Sequence, residues 1–106
     1  METGKASLHR RADTLAGLAT SRAYELPFTI LKDRIDDIVL VSDEEIKRAM
    51  KLLLEEAGQV AEPAGAAAMA AAYKIRESLE GKKVIIMLTG GNVDPKLLRE
   101  VFNLEP

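Results

Sequence analysis

The chain contains no cysteine and no tryptophan, and its 106 residues include a single histidine, His9. Without cysteine there are no disulfides, no thiolate nucleophile and no cysteine-ligated zinc. One histidine excludes a multi-histidine metal site within one chain. A Ser–His–Asp arrangement would have to run through His9, close to a chain end, where order is poor. No apolar run reaches the roughly 18 to 20 residues that span a bilayer, so no membrane segment is expected. The opening METGKASLHRR has no apolar stretch after its charges, which predicts no secretory signal. Together with the missing cysteines this points to a cytoplasmic protein. An excess of basic charge is also lacking. Fifteen Lys and Arg stand against seventeen Asp and Glu, a net charge of −2. That balance offers no general attraction to nucleic acid.

What is present is ordinary for a soluble globular chain: 47% hydrophobic and 30% charged residues. The length suits one domain, which buries roughly 65% of its unfolded surface. Residues 1–22 differ from the rest. Lys5, Arg10, Arg11 and Arg22 outnumber Glu2 and Asp13, and apolar residues are sparse before Leu15. They read as an extended basic arm, without an aromatic residue for base stacking. Residues 23–106 read as a single α/β domain.

Within that domain, Pro27 suits a first helical position, and Phe28, Leu31 and Ile35 fall at helical spacing. Ile38-Val39-Leu40-Val41 is a short β-branched run without alternation, the mark of a strand buried on both faces. Ser42 with Glu45 forms a capping box that starts a helix at Asp43. Ile46, Ala49, Met50, Leu53, Leu54 and Ala57 make its apolar stripe, and Gly58 stops it. After Glu62-Pro63-Ala64-Gly65 comes an alanine-rich helix ending at Gly81, apolar on nearly every side up to Tyr73 and expected to be buried. Val84-Ile85-Ile86-Met87-Leu88 is a second pure strand. Asp94-Pro95 then caps a last helix through about Val101.

This order predicts a partial three-layer α/β/α architecture with a short parallel sheet. Two strands of about five residues do not make a self-sufficient sheet. Each expects neighbours in plane and helices above and below. The chain is therefore expected to be part of a layer architecture and not to be a monomer. A homo-oligomer or a complementary chain would supply the rest.

Two places offer chemistry. In Leu88-Thr89-Gly90-Gly91-Asn92 a buried strand stops at a hydroxyl, and two glycines let the backbone approach something bulky. Ligands of parallel α/β sheets bind outside the carboxyl ends of strands, where Thr89 can bond a heterocyclic nitrogen. A plain turn into the Asp94 cap explains the same residues. Glu62 stands just before a helix, facing a ligand at the same sheet edge or merely complementing the helix dipole. Asp36-Asp37 reads as a solvated loop, since a metal would need further converging oxygens. No metal site is expected.

Three segments carry a resemblance: Ala12-Asp13-Thr14-Leu15-Ala16-Gly17-Leu18-Ala19; Asp36-Asp37-Ile38 through Val41-Ser42-Asp43-Glu44-Glu45-Ile46; and Glu62-Pro63-Ala64-Gly65 followed by Leu88-Thr89-Gly90-Gly91-Asn92-Val93-Asp94. In order and spacing they resemble the C-terminal part of the catalytic domain of threonine dehydratases (threonine ammonia-lyases) and serine racemase. These are pyridoxal-phosphate enzymes of the tryptophan-synthase-β-like fold. The resemblance implies that Thr89 hydrogen-bonds the cofactor's pyridine nitrogen, and that Gly90, Gly91 and Asn92 line the same wall. It implies that Glu62 lies close to the ring and that the backbone of Gly17 borders it. A neutral hydroxyl partner for the nitrogen suits β-elimination over transamination.

The sequence departs from the family pattern. Ala16-Gly17 stands where the family usually carries Ala-Asp-Gly. No serine-x-lysine-x-arginine-glycine segment is present for the Schiff-base lysine, nor an asparagine loop for the substrate carboxylate, nor a glycine-rich phosphate cradle. Lys5 does not match the lysine motif. The expectation is a truncated or split threonine dehydratase-like protein with one wall of a pyridoxal-phosphate site. It is not expected to bind the cofactor or to act alone. Complemented, it would eliminate ammonia from serine or threonine. The alternative is a non-catalytic protein that associates with itself or with a partner.

Overall fold

The computed structural model describes residues 25–104. The basic arm 1–22, with His9 and Gly17, lies outside the described residues. The helices are α1 (Glu25–Leu31), α2 (Asp43–Ala57), α3 (Pro63–Lys74) and α4 (Pro95–Phe102), with a 3-10 turn at Arg76–Leu79 after α3.

Helix α2 begins where its capping chemistry dictates. The Ser42 hydroxyl accepts from the Glu45 amide at 3.1 Å, and the Glu45 carboxylate accepts from the Ser42 amide at 2.9 Å. Each bond satisfies a donor that the first turn would otherwise leave without a partner. At the other end Gly58 adopts the left-handed conformation, φ 64°, and its amide returns to the Leu53 carbonyl. Helix α4 is capped by the Asp94 carboxylate, which accepts from the Lys96 amide at 2.9 Å.

Helix α3 stops at Lys74, short of Gly81. The Ser78 hydroxyl donates to the Ile75 carbonyl at 2.7 Å, a local bond that competes with continued helix. It is not buried on every side either. Pro63, Gly65, Ala66 and Ala70 are buried, while Ala68 is exposed. Helix α2 presents Ile46, Ala49 and Met50 to this face, and the small alanines let the two helices approach closely. Val101 of α4 completes the buried cluster, with Ala61 beside it. Lys47 pairs with Glu100 at 3.4 Å, and the Lys51 ammonium donates to the Leu104 carbonyl, which ties α4 to α2.

The expected parallel sheet is not seen among the described residues. Among the described residues, neither 38–41 nor 84–88 pairs in a strand ladder, and no backbone hydrogen bond joins them. A strand exists through its neighbours, and the described residues offer these segments none. The Leu40 carbonyl takes the Lys74 ammonium instead, at 2.7 Å. The two runs are consequently not buried: Ile85 is 90% exposed and Leu40 79%. Val41, at the end of the first run, packs against the core. What is observed is a set of helices packed on one buried cluster, with the two apolar segments largely exposed outside it.

Candidate functional site

The loop before α3 and the segment after 84–88 meet. The Glu62 amide donates to the Gly90 carbonyl at 2.9 Å, while the Glu62 carbonyl accepts from Ala66 as α3 begins. The Glu62 side chain makes no cap hydrogen bond. Its carboxylate lies over the Gly90 α-carbon, where a Cβ would fall on Oε1. On the other side of the contact, a Cβ on Gly65 would come within 2.7 Å of the Gly90 oxygen and 3.0 Å of its nitrogen. A Cβ on Gly91 would come within 2.7 Å of the Val60 oxygen.

This bears on the two readings of Thr89-Gly90-Gly91-Asn92. Asp94 does cap α4, as a plain turn requires. Yet positive φ among the described glycines is confined to Gly58 and Gly81. Backbone conformation therefore does not demand glycine at 90 or 91; at 91 close approach to the Val60 carbonyl does, while at 90 the space is taken by the movable Glu62 side chain. The structure brings Glu62, Thr89, Gly90 and Gly91 to one junction. Asn92 follows, exposed, on the way into α4. Gly17 lies outside the described residues.

Two participants carry no obvious chemical label, Gly65 and Val60. A signal for Gly65 exists in the sequence. It is a lone glycine among alanines in a helix, where alanine is the better helix former, and such a glycine usually has a packing reason. Val60 contributes a carbonyl oxygen, which side-chain patterns do not reveal.

The junction is a wall more than a pocket. Thr89 and Gly91 are exposed, and Glu62 and Gly90 half-buried. A larger cleft of about 530 Å³ lies elsewhere, between α2 and α3, lined by Arg48, Leu52, Tyr73 and Arg76 among others. There Arg76 stacks over the Tyr73 ring at 4.2 Å and Lys74 pairs with Glu45 at 3.4 Å, so much of its polar lining is engaged locally. Asp37 accepts from the Ile38 amide at 2.8 Å, as a loop residue does. No group of three or more potential metal ligands occurs among the described residues, and no helix there is long and apolar enough to cross a membrane.

The donor set fits one side of a flat, nitrogen-containing ring. Gly91 leaves backbone exposed without a side chain, the exposed Thr89 hydroxyl can bond a ring nitrogen, and the Glu62 carboxylate stands beside them.

Comparison with known proteins places the chain in a family. The model of the family described as "Pyridoxal-phosphate dependent enzyme" matches residues 1–90. L-threonine ammonia-lyase of Thermotoga maritima is 38% identical over 104 residues, covering 97% of this chain and 26% of that protein. L-threo-3-hydroxyaspartate ammonia-lyase of Saccharomyces cerevisiae is 42% identical over 80 residues, 76% of this chain and 24% of that one. Among solved structures, a threonine deaminase of T.th. superposes with a TM-score of 0.78 at 35% identity. That match covers 88% of this chain and 32% of the other. Serine racemase of Dictyostelium discoideum gives 0.73 at 34%, covering 88% and 30%. The chain thus spans about a quarter of the length of the curated relatives it matches. With most of its length matched by the family model, the chain belongs to the pyridoxal-phosphate dependent enzymes.

Proposed function

We propose that this chain is a threonine dehydratase-like segment that carries one wall of a pyridoxal-phosphate site and is inactive by itself. The observation that carries the proposal is the junction in which Gly90, free of any Cβ, lies between Glu62 and Gly65 next to the exposed Thr89. When bound, the cofactor supplies an electron sink for cleavage at the amino-acid α-carbon. The part of this chain is to hold the cofactor in place. The Thr89 hydroxyl bonds the ring nitrogen as a neutral partner. Gly90 and Gly91 line the wall of the ring, with Asn92 at its border. Glu62 sets the charge beside it. The relatives named as ammonia-lyases support elimination of ammonia from serine or threonine as the reaction of the complete assembly. Its setting is the cytoplasm.

The lysine, the carboxylate-binding loop and the phosphate cradle have to come from outside these 106 residues, because catalysis needs a buried, pre-positioned amine. The test is to add pyridoxal phosphate to the isolated chain, then to add a polypeptide spanning the first two-thirds of a threonine dehydratase. The chain alone is expected to leave the cofactor spectrum as in free solution and to release no ammonia. The mixture is expected to shift the spectrum and to release ammonia. A stoichiometric shifted spectrum from the chain alone, lost on changing one of its lysines, would overturn the proposal.

A second reading has its own support. The exposure of Leu40, Ile85 and Met87 favours a non-catalytic protein that covers 38–41 and 84–88 by self-association.

A further inference from the structure

We infer that Gly65 is a positioning residue: its bare α-carbon is the notch in α3 that seats the Gly90 peptide, and so it sets where Thr89 stands relative to the Glu62 carboxylate. The functional meaning rests on the cofactor wall proposed above; the geometry rests on packing alone. Gly65 does not adopt the left-handed conformation, so an alanine could take its backbone angles, and helix propensity favours alanine. Space is what forbids it. A Cβ there would meet the Gly90 oxygen at 2.7 Å, the Gly90 nitrogen at 3.0 Å and the Thr89 nitrogen at 3.5 Å. All three are backbone atoms, so no side chain can rotate aside. The Gly90 segment is also held in place. The Glu62 amide bonds its carbonyl, the Glu62 carboxylate covers its α-carbon, and Gly91 abuts the Val60 carbonyl. One added carbon must therefore lift residues 89–90 off α3 and stretch the Glu62–Gly90 bond.

Two opposite signs follow for Gly65→Ala. If Gly65 were an ordinary helical residue, the change would raise the melting temperature by roughly 4–8 °C for a chain of this size. If it is the notch, the melting temperature falls. The full chain is measured in both forms, without cofactor, by thermal melting and by amide NMR. Ala68→Gly, at an exposed position of the same helix, serves as a variant weakened by propensity alone. Expected for Gly65→Ala are a lower melting temperature, displaced amide signals at Thr89 and Gly90, and at least tenfold faster exchange of the Glu62 amide. Ala68→Gly should lower the melting temperature and leave those three amides as they were. A raised melting temperature, or unmoved Thr89 and Gly90 signals, overturns the inference. So does the same displacement in Ala68→Gly. Should Gly65→Ala not fold, the unaltered chain decides: a nuclear Overhauser contact between the Gly65 α-protons and the Gly90 amide is expected, and its absence overturns the inference. Because no cofactor is present, a failed cofactor wall leaves these outcomes untouched.

Discussion

A single oxygen or a single missing carbon decides much of this molecule. If Thr89 bonds the ring nitrogen in a complemented assembly, Thr89→Ala leaves that buried nitrogen without a partner, at a cost of about 1 to 3 kcal/mol. Ammonia release should fall roughly tenfold or more, and Thr89→Ser, which keeps the hydroxyl, should retain most of it. Unchanged turnover in the alanine variant would return Thr89 to a turn role. Glu45 offers a pH test. The hydrogen bond from the Ser42 amide holds its carboxyl below the ordinary value of 4.5. Desolvation pushes the other way, and the Ser42 hydroxyl and the Lys74 ammonium add to the lowering. A carboxyl with a lowered folded-state pKa stabilises the fold fully above its unfolded value, and this is lost as pH falls through the folded one. On acidification from above pH 4.5, the melting temperature should therefore fall further for the native chain than for Glu45→Gln. Parallel curves for the two would show that the capping carboxylate is energetically idle.

At the scale of elements, the helices derive their stability from contact between small and large residues. Ala66 is fully buried against α2, while Ala68, two positions on, is exposed. Ala66→Leu should overpack the α2–α3 contact and cost about 1 to 3 kcal/mol, whereas Ala68→Leu should stay within about 0.5 kcal/mol of the native chain. Urea titration distinguishes them, and equal midpoints would mean that the two helices do not pack as observed. The helices were also the legible elements. The Ser42–Glu45 box, Gly58 and Asp94 each act locally, within a few residues of chain, so their positions can be read directly from sequence. The end of α3 was not legible, because Ser78 competes for the Ile75 carbonyl only once the backbone has turned there.

Across the whole molecule, the large side chains of the buried cluster are few: Ile46, Met50 and Val101. Much of the apolar content lies outside it, on Ile38, Leu40, Val84, Ile85, Met87 and Leu88. Soluble monomers rarely expose contiguous apolar patches beyond a few hundred square ångströms, and unpaired strand-like edges invite pairing. The isolated chain is therefore expected to self-associate, with a symmetric homodimer as the commonest closed form. Light scattering behind size exclusion at micromolar concentration should give at least twice the chain mass. The complementary two-thirds of a threonine dehydratase should compete with that association. A cooperative monomer would mean that the segments are covered from within the chain.

Local sequence was enough for the helix limits set by caps and for the family, because each depends on neighbours along the chain or on a motif of several residues. The resemblance to the family was carried by residues 12–19, 36–46 and Glu62-Pro63-Ala64-Gly65 with 88–94 taken together, and the family model matches residues 1–90. Three things needed the folded chain. Folding brings residue 62 to residue 90 across more than twenty positions of chain, which no local pattern encodes. It makes Gly65 and Gly91 glycine for want of space against backbone atoms and not for backbone freedom, a distinction that needs φ and the opposing atoms. It also leaves 38–41 and 84–88 without a ladder, because apolar β-branched residues state a preference for burial in a sheet but cannot supply the neighbouring strands that make one.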